Sequence, residues 1–181
     1  MGLDITIYAI EDKESDDGLE TFHKISRSFA ALIRCLSEGV ENCEIKQGAS
    51  IAGVNISVFE KMTTWQLWEL QYGGFVTKEA EEKFIRDYNK ACDDSWQNID
   101  EVIDCFQNLH DKLSEKKDFE KKISYVLEWL SAHEYFQNFE RDVLFNGYAK
   151  HKNFGWDLRS ILVFLIVAKK NKKQLVRFHL G

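Results

Sequence analysis

The chain has 181 residues, of which 44% are hydrophobic and 30% are charged. These values are typical of a globular protein and exclude a disordered or low-complexity chain. A chain of this length can bury roughly 70% of the surface that it exposes when unfolded, so a sizeable core is expected. We predict a single domain over residues 1–181.

The formal net charge is −6, and it is spread unevenly. From Lys150 onward there are eight Lys or Arg and one Asp, a balance of +7, so the preceding 149 residues carry −13. An acidic body disfavours nucleic-acid binding, which depends on cationic side chains that neutralise phosphates. It favours a basic partner, because an acidic surface speeds association with a basic one.

Cysteine usage and the longest apolar run bear on localisation. Four cysteines are too few and too scattered for a disulfide framework, which favours a reducing cytoplasm. The first residues lack the basic and apolar regions of a secretory signal. Residues 161–168 are all apolar, but a bilayer span needs about 20 such residues. We expect a cytoplasmic protein without a membrane anchor.

The first part of the chain predicts a strand followed by a helix. Residues 4–10, DITIYAI, are β-branched and aromatic in rough alternation, which indicates a strand, and residues 11–18 form an acidic turn. Over residues 19–36, apolar side chains recur every three or four positions, which predicts an amphipathic helix that Gly39 ends. Residues 40–64 show no lasting period, so we expect irregular structure with short extended or helical pieces.

The middle of the chain predicts three further helices. Thr77 caps the first, over residues 77–91, and early glutamates suit the positive end of its dipole. Asn98 caps the second, which has a clear apolar stripe over residues 99–113. Residues 118–130 predict the third, with Phe, Ile, Val and Leu side chains on one face.

Residues 157–180 admit two interpretations. A β-hairpin, with residues 160–168 turning through KKNKK, suits the β-branched residues of this stretch. We favour a helix over residues 157–170 and a strand over residues 174–180. Asp157 then lies at the helix start, and the lysines lie at the negative end of the helix dipole. The predicted fold is therefore α+β, mainly helical, with a small sheet that includes the N- and C-terminal strands.

Two stretches resemble a nucleotide-binding motif and a zinc-binding motif, but each lacks the residues that would contact the ligand. In GASIAGVN, residues 48–55, Val54 and Asn55 stand where a phosphate loop needs lysine and a hydroxyl. In HEYFQ, residues 133–137, Gln137 replaces the second histidine of a zinc site. We predict no metal and no cofactor.

One polar cluster could hold an anion or support acid–base chemistry. His23 and Arg27 are four residues apart on the predicted first helix, so they share a face, and Asp4 or Tyr8 of the first strand could join them. The alternative is a surface histidine and an arginine in a structural ion pair. A second pair, Asp157 and Arg159, admits the same two interpretations, with capping as the structural role.

Three aromatic residues are candidates for an exposed contact. Trp65, Trp68 and Tyr72 lie in or near the YGG sequence of residues 72–74, and aromatic anchors are enriched at interfaces. Core packing is the alternative for all three.

Four blocks of the chain resemble a family of small uncharacterised bacterial proteins. They are MGLDI at the start, HKISRSFAALI at 23–33, IKQGASIAGVNISVFEKM at 45–62 and NFGWDLRSILVFLIVAKKNKK at 153–173. The resemblance implies a last helix that leads into a terminal strand, and it implies no activity.

The failure of every enzymatic motif favours a protein that is not an enzyme. We expect a protein-binding module, such as an inhibitor or immunity-type protein that sequesters a basic partner. The alternative is a small enzyme or ligand-binding protein that uses the His23 and Arg27 cluster. A homo-oligomer formed through the apolar last helix is a third interpretation.

Overall fold

An antiparallel sheet joins the beginning and the end of the chain. The computed structural model describes residues 5–14, 18–63, 77–128, 130, 134–140 and 152–180. Within them, four strands lie in the order β2-β1-β4-β3. Their bounds are Ile5–Ile10 for β1, Glu20–Phe22 for β2, Gln97–Asn98 for β3 and Leu175–Leu180 for β4. The predicted α+β class, with both terminal strands in one sheet, is confirmed.

The two central strands, β1 and β4, set the two faces of the sheet. They pair over six residues, with Ile5 opposite Leu180 and Ile10 opposite Leu175. Because side chains alternate along a strand, Ile7 of β1 and the buried Phe178 of β4 face the core together. The intervening polar residues form the other face, which we call the outer sheet face.

Six α-helices are present in the described part of the chain. Their bounds are Arg27–Ser37 for α1, Glu44–Ala52 for α2, Ser57–Lys61 for α3, Lys78–Asp94 for α4, Ile99–Ser114 for α5 and Phe154–Lys170 for α6. Helix α5 packs against α6 and α2, and α1 packs against α2 and α3. The predicted caps are confirmed, since Thr77 accepts from the backbone of α4 and Asn98 from that of α5.

Phenylalanine rings join the helices to the sheet in the core. Phe29 of α1 is fully buried, and its ring lies 6.2 Å from Phe106 of α5 and 6.3 Å from Phe154 of α6, between ring centres. It also meets Phe178 of β4 edge-on at 6.3 Å. Such pairs add to the free energy gained from burying their apolar area. One ring therefore contacts three other elements.

The apolar run near the end of the chain is helical, as we favoured over the hairpin. Ile161, Leu165 and Ala168 are fully buried in the core. Val163, in contrast, is 64% exposed, and Ile166 and Val167 are also exposed on the outer side of α6. No helix in the described ranges is long and apolar enough to span a bilayer.

The predicted helix over residues 19–36 was wrong over residues 19–26. Residues 20–22 form β2, and α1 begins only at Arg27, where Ser26 caps it by accepting a hydrogen bond from Phe29 N at 3.1 Å. Phe22 matches the helical period, but its ring stacks on Phe164 of α6 at 5.3 Å. Pairing of β2 with β1 and this aromatic contact override the local pattern.

The predicted helix over residues 118–130 was also wrong. Only Phe119–Lys122 is helical in its first half, as a 3₁₀ turn, and Ile123 is extended. Gln47 of α2 explains the difference: its amide donates to Ser124 O and accepts from Ser124 N, both at 2.7 Å. Glu44 accepts from Leu127 N at 2.6 Å. Side chains of α2 thus bind the backbone groups that a helix would pair internally.

The end of α6 has a lysine where glycine is usual. Lys172 is left-handed, with φ of 65°, while Lys173 N bonds to Ala168 O and Lys172 N to Lys169 O, both at 3.0 Å. This is a Schellman ending, in which glycine avoids the penalty that a Cβ brings in the left-handed region.

Lys172→Gly is expected to raise the free energy of unfolding by about 1 kcal/mol, because it relieves this left-handed strain. Lys170→Gly, in the last helical position, is the matched control and should lower it by up to about 1 kcal/mol. Urea denaturation measures both, and destabilisation by both substitutions would contradict the strain argument.

Candidate functional site

A buried carboxylate connects the start of α6 to the start of α1. Asp157 is 1% exposed and accepts hydrogen bonds from Ser26 N at 3.1 Å, from the Ser26 hydroxyl and from the Tyr135 hydroxyl at 2.6 Å. The helix cap is a different residue, Asn153, which accepts from Trp156 N at 2.7 Å. The prediction that Asp157 caps the helix was therefore wrong, and its structural role is to accept hydrogen bonds in a buried network.

The environment of this network shifts the pKa of both of its titratable groups, Asp157 and Tyr135. Burial raises the pKa of the Asp157 carboxyl, while the hydrogen bonds from Ser26 and Tyr135 oppose that shift. Burial and the neighbouring carboxylate raise the pKa of the Tyr135 hydroxyl, so it remains a donor. Lys152 also favours the charged carboxylate. The hydrogen bonds of Asp157 in the described residues join α6 to Ser26 and to Tyr135, which is a structural role.

Two predicted residues, Tyr8 and His23, both lie at the outer sheet face. His23 Nδ1 lies 3.0 Å from the Thr6 hydroxyl, and Thr6 and Tyr8 share this face of β1. The Tyr8 ring stacks on His179 at 5.0 Å between centres. The guanidinium of Arg177 lies between Tyr8, at 5.8 Å, and the Trp96 ring, at 4.6 Å. The result is a continuous stack across the sheet.

Two other predicted residues, Arg27 and Arg159, lie on helices and not on the sheet. Arg27 is exposed at the start of α1 and does not share a helix with His23, so the predicted common helix face was wrong. Arg159 Nη1 donates to Phe139 O at 2.8 Å, close to where Gly155 allows α6 to approach Phe139. This bond gives Arg159 a structural role.

Asp4, Trp65, Trp68 and Tyr72 lie outside the described residues. Their predicted roles, as an acidic neighbour and as interface aromatics, stay predictions.

A recess of described residues runs along α5. It has a volume of about 430 Å³ and lies between α5 and the connection from α2 to α3. We call it the α5 groove. Its α5 wall carries Glu101, Asp104, Asn108 and Lys112, which are exposed, and its opposite wall includes Asn55. Positions three and four apart share a helix face, so these polar side chains line one side.

The two carboxylates of the α5 groove have no ion pair within the described ranges. Lys112 lies two turns or more further along α5 from Asp104 and Glu101. The floor carries Cys105, whose thiol donates to Asn55 O at 3.4 Å. Burial raises the pKa of Cys105 to about 12, so the thiol is not a nucleophile near neutral pH. The α5 wall of the groove thus carries two exposed carboxylates near one end and the exposed Lys112 at the other.

No group of three or more His, Cys, Asp or Glu side chains in the described ranges is arranged to hold a metal ion.

No family model, no curated protein and no solved structure matches this chain. The resemblance to the bacterial family therefore stays a prediction.

The α5 groove was missed in the sequence although its residues were visible. Glu101, Asp104 and Asn108 lie on the polar side of a helix whose apolar stripe was recognised. The opposite wall comes from residues 53–58, where no period was found. A polar helix face is common in proteins and does not by itself indicate a site. The recess exists because residues 53–58 form a second wall opposite α5.

Asp157→Asn is expected to lower the free energy of unfolding by about 3 kcal/mol, because the new amide donor would face the donors of Ser26 and Tyr135. Asp104→Asn, an exposed carboxylate on α5, is the matched control and should change it by less than about 0.5 kcal/mol. Urea denaturation provides both values. Equal losses would show that the buried network adds no more stability than a surface group.

Acidification is expected to destabilise the fold through His179. Burial first, and then the charge of Arg177, lower the pKa of His179 below its usual 6.5. The unfolded chain therefore binds this proton more tightly, and stability falls as the pH drops through 6.5 towards the lower folded-state pKa. His179→Gln should remove this part of the loss. Urea denaturation across this pH range tests it, and parallel curves for the two proteins would contradict it.

Proposed function

We propose that this chain is a non-catalytic protein-binding module that holds a basic segment of another protein in the α5 groove. An inhibitor or immunity-type protein that sequesters its partner would act in this way. The observation that carries the proposal is the pair of exposed carboxylates, Glu101 and Asp104, that line one wall of this recess without an ion pair among the described residues.

The geometry of the α5 groove suits lysine or arginine side chains. Glu101 and Asp104 are three residues apart on α5, so both carboxylates face the recess from one side. Asn55 and Ser57 on the other wall offer neutral hydrogen-bonding groups. A cationic side chain between the walls would have charge on one side and polar partners on the other.

The charge of the chain supports a basic partner at longer range. The net charge is −6, and the part before Lys150 carries −13. Electrostatic steering by such a field raises association rates with a basic protein and weakens with added salt. We place this association in the cytoplasm, and the four free cysteines support that assignment.

Binding without catalysis is supported by the thiol in the floor of the groove. Cys105 is buried, donates to Asn55 O, and has a pKa of about 12. A thiol held protonated in this way packs as a small apolar group. The groove therefore supplies attraction and shape to a partner.

The test uses oligolysine and oligoglutamate peptides of equal length, titrated into the full chain and followed by amide chemical shifts. Oligolysine is expected to shift residues of the α5 groove, and oligoglutamate is not. Glu101→Lys combined with Asp104→Lys should weaken oligolysine binding at least about tenfold.

The matched control is Glu79→Lys combined with Glu81→Lys, which changes the net charge equally on the exposed side of α4. It should retain the groove shifts with only a modest loss of affinity. Equal weakening by both pairs would show that net charge, and not the groove, attracts the peptide.

A further inference from the structure

The α5 groove carries opposite charges at its two ends. Glu101 and Asp104 line one end and Lys112 lines the other, and all three side chains are exposed. Within the described ranges Lys112, like the two carboxylates, has no ion pair. Because a helix rises 1.5 Å per residue, positions 104 and 112 lie about 12 Å apart along the groove. An occupant of the groove therefore meets negative charge at one end and positive charge at the other.

The wall opposite α5 places an apolar side chain between these charged ends. The thiol of Cys105 donates to Asn55 O at 3.4 Å, which fixes residue 55 near the carboxylates. Gly48 of α2 lies beside Leu113, because a Cβ added there would lie 3.9 Å from Leu113 Cδ1. The chain from 48 to 55 thus runs opposite to α5. Val54, which is half-buried and lines the recess, lies on the Lys112 side of residue 55.

The size of the α5 groove suits an extended chain. The recess holds about 430 Å³. A helix of about 10 Å diameter over the same length would fill roughly 900 Å³. An extended chain advances about 3.3 Å per residue, and every second side chain points the same way. Side chains four positions apart therefore face the groove together and span about 13 Å, which matches the separation of Asp104 and Lys112.

We propose that the α5 groove selects an extended segment in which a basic and an acidic residue are four positions apart with an apolar residue midway. The basic side chain meets Glu101 and Asp104, the apolar one meets Val54, and the acidic one meets Lys112. This inference rests on the proposed function and specifies its partner segment as mixed in charge. Complementary charges at a fixed spacing discriminate between segments more than they raise affinity.

The experiment compares three glycine-based peptides of equal length, titrated into the full chain at low ionic strength and followed by amide chemical shifts. The first has lysine, valine and glutamate at alternate positions. The second has glutamine in place of glutamate, and the third has the composition of the first with glutamate directly next to lysine. The first peptide is expected to bind about threefold more tightly than either of the others, as an exposed ion pair allows.

Lys112→Met is expected to remove the advantage of the glutamate peptide over the glutamine peptide, which completes a double-mutant cycle for this ion pair. Lys116→Met is the matched control, because it removes an exposed lysine that lies beyond the end of α5 and outside the lining of the recess. This control should keep the preference of about threefold.

The outcomes separate this inference from the proposed function. Groove shifts with equal affinities for the three peptides would overturn the spacing rule and leave the binding of a basic segment standing. A preference for glutamate that persists in Lys112→Met would overturn the assignment of the acidic residue to Lys112. If neither these peptides nor oligolysine shift the groove residues, both the inference and the proposed function are overturned.

Discussion

The pairing of the first and last strands is the constraint on which the rest of this structure depends. β1 and β4 are separated by almost the whole chain, and every helix lies between them in sequence. Their six-residue register brings the end of α6 to the end of β1, where Gln174 bonds to Ile10. The same turn accepts the first amide of α5, so one strand pair positions both helices. One wall of the α5 groove is formed by α5, so the position of the groove follows from this register.

The Asp157 network performs the corresponding task at the other end of α6. A carboxylate with three donors in the core requires α1, α6 and the segment around Tyr135 to stay in register, because each would otherwise leave a buried polar group unpaired. Helix α6 is thus held at its start by side-chain hydrogen bonds and at its end by backbone bonds. Its apolar side fills the space between. The Asp157 network and the backbone bonds of Gln174 thus fix both ends of α6, and α5, which carries the carboxylates of the α5 groove, packs against this helix.

Local signals predicted the parts of the fold whose cause is local. The caps Thr77 and Asn98 and the stripe of α5 depend on residues a few positions apart, and each is visible in the sequence. The same holds for the last helix, which was predicted over residues 157–170 and begins one turn earlier, at Phe154. β2 and the segment around Ser124 were mispredicted because distant partners decide them: β1 pairs with the first and Gln47 binds the second.

The candidate sites show the same limit. Tyr8 and His23 were singled out together, and both lie at the outer sheet face, but His23 bonds to Thr6 while Tyr8 stacks on His179. The lysines after Ala168 had a sufficient explanation in the helix dipole, so nothing in their order marked Lys173 as buried. That distinction depends on Gly18 and β1, which are more than 150 residues away in sequence.

The short flanking strands of the sheet have a consequence for the behaviour of the protein at high concentration. β2 has three residues and β3 has two. Beyond the end of β3, Phe178 N of β4 donates a hydrogen bond to Met62 O at 2.9 Å. The long central strands therefore do not present a continuous row of unpaired backbone groups to another molecule over this stretch. Edge protection of this kind hinders intermolecular strand addition, the first step towards fibrils.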